Sequence, residues 1–139
     1  MKVLLDTCAV SDYNKPLKYP ALVAFVDSLP DEALFVSVLT LGEIVKGIDM
    51  LPQGLKKDTL QAWYAGLLAA YSDRILPVDP ETAEVWGRIT SACAARNLDL
   101  PAVDGLIAAT ALQHGLAVLT RNEKHFRQTG AVVVNPWSA

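Results

Sequence analysis

The chain has 139 residues, 52% of them apolar, and two cysteines, Cys8 and Cys93, far apart in sequence. One globular domain over residues 1–139 with a sizeable core is expected. A disordered chain, a disulfide framework and a Cys-based zinc site are not. Lys and Arg number 12 against 15 Asp and Glu, a net charge of −3, so the composition does not advertise a nucleic-acid surface, although local patches matter more than the sum.

The apolar run Val3-Leu4-Leu5 ends abruptly in Asp6. It is too short for a helix and reads as a buried strand of a parallel sheet. Asp6 then stands at a strand's carboxyl end, where ligands collect in open α/β sheets. The run is also too short for a signal peptide, and no stretch approaches the ~20 apolar residues of a membrane span, so a cytoplasmic protein is expected.

Thr7 to Asn14 reads as a loop with a short helix. Pro20 opens the next helix, with Leu22, Phe25, Val26 and Leu29 on one face, and Pro30-Asp31 ends it. Leu34 to Val38 reads as a second strand. A helix over about Thr40 to Met50 follows, with Leu41, Ile44, Val45 and Ile48 as its apolar stripe. Pro52 and Gly54 break the chain before a helix over about Leu55 to Tyr71. Its Leu60, Trp63, Tyr64, Leu67, Leu68 and Tyr71 repeat at three and four.

Arg74 to Val78 reads as a third strand. Asp79-Pro80 has the form of an N-cap and first helical residue for a helix to about Arg96. Pro101 opens a helix to about His114, which Gly115 caps. Ala117 to Leu119 and Val132 to Val134 complete the strands. Strands alternating with helices predict an α/β/α sandwich on a mostly parallel sheet of four or five strands.

Three acids stand where a purely structural sequence seldom puts them. Asp6 ends the first strand, Glu43 lies in the first turn of the helix after the second, and Asp104 opens an otherwise apolar helix. Each has a structural reading: Asp6 as a helix cap, Glu43 as the partner of Thr40 in a capping box, Asp104 as a complement to the helix dipole. Together, at the carboxyl edge of one parallel sheet, they would repel each other unless a cation lay between them. Carboxylates without a supply of His or Cys suit Mg²⁺ or Mn²⁺. Asp79 reads as a cap, His114 as a dipole partner, Cys8 as a small buried side chain, and the Trp63–Tyr71 stripe as core or protein interface.

Val3-Leu4-Leu5-Asp6-Thr7, Ser37-Val38-Leu39-Thr40-Leu41-Gly42-Glu43, the run Asp104 to Ala111, Leu119-Thr120-Arg121-Asn122 and the closing Val134-Asn135-Pro136-Trp137 occur in that order across nearly the whole chain. In these stretches the sequence resembles the PIN-domain family, and specifically the VapC-type ribonuclease toxins of toxin–antitoxin pairs. The resemblance implies a PIN-like sandwich and an Mg²⁺- or Mn²⁺-dependent endoribonuclease. It implies Asp6, Glu43 and Asp104 as metal ligands and catalytic acids, and a homodimer neutralised by a cognate antitoxin. An ion held there would bind the scissile phosphate and activate a water for in-line attack. Thr7, Thr120, Arg121 and Asn122 would position RNA or water, and Lys46, Lys124 and Arg127 are further candidates for phosphate contact.

Two positions depart from the pattern. Cys8 stands where many relatives have Asn. Asn122 and His125, with Glu123 between them, occupy the region of a fourth acid. The loss of that acid motivates one alternative, a PIN-like binding or scaffold module. A haloacid-dehalogenase-like phosphohydrolase is a second alternative, but it needs an Asp where Cys8 stands.

Overall fold

The computed structural model describes residues 1–137. Five strands alternate with helices: β1 (Val3–Leu5), α1 (Thr7–Asp12), α2 (Pro20–Asp27), a 3₁₀ turn (Asp31–Ala33), β2 (Leu34–Ser37), α3 (Val38–Asp49) and α4 (Leu55–Ala70). Then come β3 (Ile75–Leu76), α5 (Pro80–Ala95), α6 (Ala102–His114), β4 (Ala117–Leu119), α7 (Glu123–Arg127) and β5 (Val133–Val134). The sheet order is β3-β2-β1-β4-β5, and every pairing is parallel. The expected sandwich is therefore present, with five strands.

Alternation along β1 divides the core. Val3 and Leu5 face one layer with Val10, Leu22, Val26, Ile44 and Ile48, drawn from α1, α2 and α3. Leu4 faces the other with Ile107, Ala108, Ala111 and Phe126, drawn from α6 and α7. A strand covered on both faces reads as a continuous apolar run, as VLL does. Each fully buried Val or Leu contributes about 1.5–3 kcal/mol relative to exposure. Helix α5 lies outside α6, packed through Ile89, Cys93 and Ala109. The tight approach is at Gly105, where a Cβ would meet Trp86 Cδ1 at 3.0 Å and Leu100 Cδ2 at 3.2 Å. Gly105 thus lets the start of α6, with Asp104, pack closely on its neighbours.

Caps set the helix boundaries. Asp79 and Thr82 form a reciprocal capping box on α5, and Gln113 Nε2 donates to Asp79 at 3.0 Å, tying the end of α6 to the start of α5. Gly115, at φ 66, ends α6 in the left-handed conformation expected of it.

Four local features differ from the sequence reading. Helix α3 starts at Val38, not Thr40, because the Ser37 hydroxyl accepts from Leu39 N–H at 3.0 Å and caps it. Glu43 therefore lies in the second turn, and the Thr40–Glu43 capping box does not form. Val45, placed on the apolar stripe of that helix, is 45% exposed. The third strand is two residues long, Ile75–Leu76, within the expected Arg74 to Val78; Arg74 still pairs its backbone carbonyl with Val36 N–H at 3.1 Å, while its guanidinium donates to the carbonyls of Asp31, Leu34 and Ala70. Helix α7 has no counterpart among the expected elements. Five residues are too few to show a period, and it is held by the buried Phe126 and by an Arg127–Glu123 pair at 2.7 Å.

Candidate active site

In a sheet ordered 3-2-1-4-5, the chain leaves β1 toward β2 and later returns beside β1 as β4. Ligand sites of open α/β sheets form at such reversals, outside the carboxyl ends of the strands. Asp6 follows β1 there and Thr120 follows β4, and the Asp6 N–H donates to Leu119 O at 3.2 Å.

Asp6 is only 4% exposed. Its Oδ1 accepts from the Ala9 N–H at 2.8 Å, which makes it the N-cap of α1, and its Oδ2 accepts from the Thr120 hydroxyl at 2.5 Å. The cap reading of Asp6 is thus met through Oδ1, while Oδ2 is tied to the end of β4. Burial nevertheless dominates and pushes the carboxyl up to about 6, against the two hydrogen bonds. The charge of Asp104 pushes the same way, and that of Arg121 opposes it more weakly.

Thr120 is fully buried and also accepts from the Asn122 N–H at 2.9 Å. One hydroxyl thus links β1, the end of β4 and the start of α7. Asn122 is the N-cap residue of α7, but its side chain makes no cap bond.

Glu43 reaches the site from α3. It is exposed, and its Oε1 accepts from the Thr7 hydroxyl, one residue after Asp6. Thr7 Oγ1 also lies 3.4 Å from that of the buried Thr40. Asp104 reaches it from the first turn of α6, and its Oδ2 lies 2.8 Å from His125 Nδ1 on α7. Glu123 is turned elsewhere, accepting from Arg127 and from Asn135 Nδ2. Of Asn122, Glu123 and His125, His125 is the one that bonds to one of the three acids.

Each acid is held by a different neighbour. Among the described residues, no three His, Cys, Asp or Glu side chains stand close enough together to grip a metal ion as placed. The donor chemistry still suits a hard divalent cation: two or three carboxylates, threonine hydroxyls and one imidazole. The buried Asp6, biased toward its protonated form, has a negative charge that such an ion would offset.

Arg121 stands beside these groups. Its Nη1 pairs with Asp12 Oδ2 at 3.2 Å and lies 3.5 Å from the Tyr19 hydroxyl. Asp12, the last residue of α1, is 4% exposed and also accepts from Trp137 Nε1 at 3.1 Å. The sequence reading singled out neither Asp12 nor Tyr19. The acid and its basic partner are 109 positions apart (121 − 12), and no local pattern joins them. Cys8 is half-buried, and burial with the charge of Asp6 pushes its thiol up, which keeps it a poor nucleophile. Lys46 and Lys124 are exposed, while Arg127 is engaged by Glu123.

The PIN domain family matches residues 3–132. Toxin FitB of Neisseria gonorrhoeae is 36% identical over 136 residues, covering 97% of this chain and 98% of the toxin. VapC ribonuclease Y4jK of Sinorhizobium fredii is 30% identical over 136 residues, covering 97% of each. The crystal structure of FitAcB from Neisseria gonorrhoeae superposes with a TM-score of 0.93 at 36% identity, covering 99% of both chains.

The raised Asp6 carboxyl makes a testable statement about stability. The folded state binds a proton at Asp6 more tightly than the unfolded chain does, so this group destabilises the metal-free fold progressively as pH rises from about 4 through about 6. The full effect is about 3 kcal/mol. In urea denaturation with chelator present, Asp6→Asn should gain on the parent across that range and hold the gain above pH 7. A difference between the two that does not change with pH would show that Asp6 is not a strained carboxylate.

Proposed function

The chain belongs to the PIN-domain family, and from that premise we propose that it is a metal-dependent endoribonuclease, the toxin of a toxin–antitoxin pair. The observation that carries this reading is the approach of three acids, from three different elements, to one sheet edge beside an arginine. Asp6 follows β1, Glu43 arrives on Thr7, and Asp104 arrives on His125. The names of the relatives, a toxin and a VapC ribonuclease, agree with it.

In this reading Asp6, Glu43 and Asp104 would hold Mg²⁺ or Mn²⁺. The ion, when bound, supplies Lewis-acid polarisation of a phosphate oxygen and a water of lowered pKa. The chain's own residues do the rest. Thr120 orients Asp6, leaving one carboxylate face for binding. Thr7 steadies Glu43, an exposed carboxylate suited to accept a proton from an attacking water. His125 turns Asp104 toward the site, and Arg121 meets the substrate's negative charge. The closed sandwich over residues 1–137 supports the single-domain reading.

A protein partner is supported by a separate feature. A hollow of about 330 Å³ opens between α1 and α4, lined by Leu5, Val10, Tyr13, Trp63, Leu67 and Tyr71. Met50 and Leu55, which flank the α3–α4 turn, are 76% and 83% exposed. An amphipathic antitoxin segment would bury its apolar side chains there. The protein should co-purify with the product of its neighbouring antitoxin reading frame, and Trp63→Ala should weaken the complex more than it lowers the melting temperature. Loss of folding with no loss of complex would make the hollow plain core.

Purified protein should cut RNA with Mg²⁺ or Mn²⁺ and stop in EDTA. Glu43→Gln keeps an acceptor for the Thr7 hydroxyl and removes the charge. It should lower cutting at least ~100-fold, about 2.7 kcal/mol in barrier, with little change in melting temperature. Undiminished cutting in EDTA sinks the metal reading. RNA binding without cutting favours the scaffold alternative, and hydrolysis of phosphate monoesters alone favours the phosphohydrolase.

The substituted fourth position gives a second expectation. His125→Asp places a fourth carboxylate against Asp104, whereas Asn122→Asp places one at an exposed N-cap. His125→Asp should lower the Mn²⁺ concentration needed for half-maximal cutting and destabilise the metal-free protein through like-charge crowding. Asn122→Asp should do much less of both. Equal effects, read from metal titrations of rate and melting temperature, would overturn this assignment.

A further inference from the structure

Resting on the ribonuclease reading, we propose that Asp12 is a positioning residue that holds Arg121 off the acidic cluster, so that Arg121, Tyr19 and Lys18 form a track for the phosphates of an RNA strand leaving the site.

The starting point is a buried carboxylate away from the three acids. Asp12 has a side chain only 5% exposed, and it accepts from two donors that reach it from the far end of the chain, the indole N–H of Trp137 and Nη1 of Arg121. Burying a carboxylate is costly unless such donors compensate it. Arg121 does not become buried in return: its side chain is 44% exposed. One edge of the guanidinium is anchored, and the remainder stays open to solvent beside the cluster.

That anchorage matters because Arg121 follows Thr120, whose hydroxyl binds Asp6. An arginine free to rotate at this position would have Asp6 as a nearby partner, and the pair would neutralise the carboxylate the reaction needs. Asp12 offers a competing carboxylate. The guanidinium is thereby kept as a separate positive point next to a negative one, which is what a metal-dependent nuclease requires of the edge that receives a polyanion.

The positive charge continues outward. The guanidinium carbon of Arg121 lies 5.9 Å from the centre of the Tyr19 ring, and Lys18 Nζ lies 5.4 Å from the same centre. Two cations thus share one aromatic ring. The loop that carries Lys18 and Tyr19 is pinned, with Lys18 N–H and Tyr19 N–H both donating to Lys15 O, at 3.1 and 2.9 Å. In a protein of net charge −3, an anchored arginine and a lysine against one aromatic ring beside an acidic site fit a single-stranded backbone, which pairs its phosphates with cations along a groove.

The test is steady-state cutting of a fluorogenic single-stranded RNA oligonucleotide with Mn²⁺, from about 50 to about 200 mM KCl. Arg121→Ala and Lys18→Ala should each make the fall of log kcat/KM with log salt shallower by about 0.7, one phosphate contact's share. Asp12→Asn keeps an acceptor for the Trp137 indole. It should lower kcat/KM about tenfold at low salt through the lost charged contact, and add nothing further when residue 121 is already Ala. Melting temperatures are measured alongside.

An unchanged salt slope in Arg121→Ala and Lys18→Ala overturns the track. An Asp12→Asn cost that is the same with Arg or Ala at 121 overturns the positioning role and leaves Asp12 a structural residue. If the Arg121 variant leaves RNA cutting and its salt slope intact but weakens binding of an acidic protein partner, the row serves protein contact and the proposal falls. Should Asp12→Asn not fold, the salt slopes of the other two variants still decide the track. A parent protein that cuts no RNA takes down the ribonuclease reading and this proposal with it, whereas normal cutting with unchanged slopes takes down this proposal alone.

Discussion

The structure depends most on how a single buried carboxylate is accommodated. Asp6 lies at the reversal point of the sheet and accepts one hydrogen bond on each oxygen, from α1 and from the end of β4. These two bonds start a helix and fix the site-bearing ends of adjacent strands. They do not fully offset the burial of the charge, and the carboxyl remains displaced toward its neutral form. Against a typical folding stability of about 5–15 kcal/mol, keeping this carboxyl ionised in the fold is a cost that matters only above the pH at which it titrates.

A second regularity is the separation of charges. Asp6 is held by Thr120, Glu43 by Thr7, Asp104 by His125 and Asp12 by Arg121. Three of the four keepers follow an acid or a strand closely in sequence: Thr7 is next to Asp6, while Thr120 and Arg121 follow β4. The remaining keeper, His125, comes from the short α7. The ends of β1 and β4 therefore carry Asp6 and two of the groups that orient acids, and small shifts of β4 against β1 would disturb the Asp6–Thr120 and Asp12–Arg121 contacts together.

Much of this was legible in the sequence, for physical reasons. Val3-Leu4-Leu5 and Ala117-Val118-Leu119 are fully buried strands, and buried strands show as unbroken apolar runs. Asp79-Pro80 and Gly115 carry their boundary meaning in the residues themselves. The start of α3 was misplaced because two hydroxyl residues, Ser37 and Thr40, both have the form of a cap, and only packing decides between them. Thr40 is fully buried, so its hydroxyl faces the interior beside Thr7. Helix α7 is hidden by its length, and the partners of Arg74, carbonyls more than thirty positions away as well as one nearby, leave no mark on the sequence around it. The acids of the site were visible because a carboxylate in an apolar run is conspicuous. Thr7, Thr120 and Arg121 stand out beside them, but which acid each one holds does not, and Asp12 looks ordinary until the fold brings it to Arg121.

The shape of the sheet also bears on how the protein can assemble. Its central strands are covered on both faces, and its two margins, β3 and β5, are each two residues long. A margin that short offers few unpaired backbone groups to an incoming strand. Arg74 further occupies carbonyls around the β3 side with its own guanidinium. Extension of the sheet from one molecule into another is thereby discouraged, which guards against edge-to-edge aggregation. Association is left to side chains on the helical layers, where contact surfaces can be gained or lost by substitution without touching the strands that hold Asp6 in place.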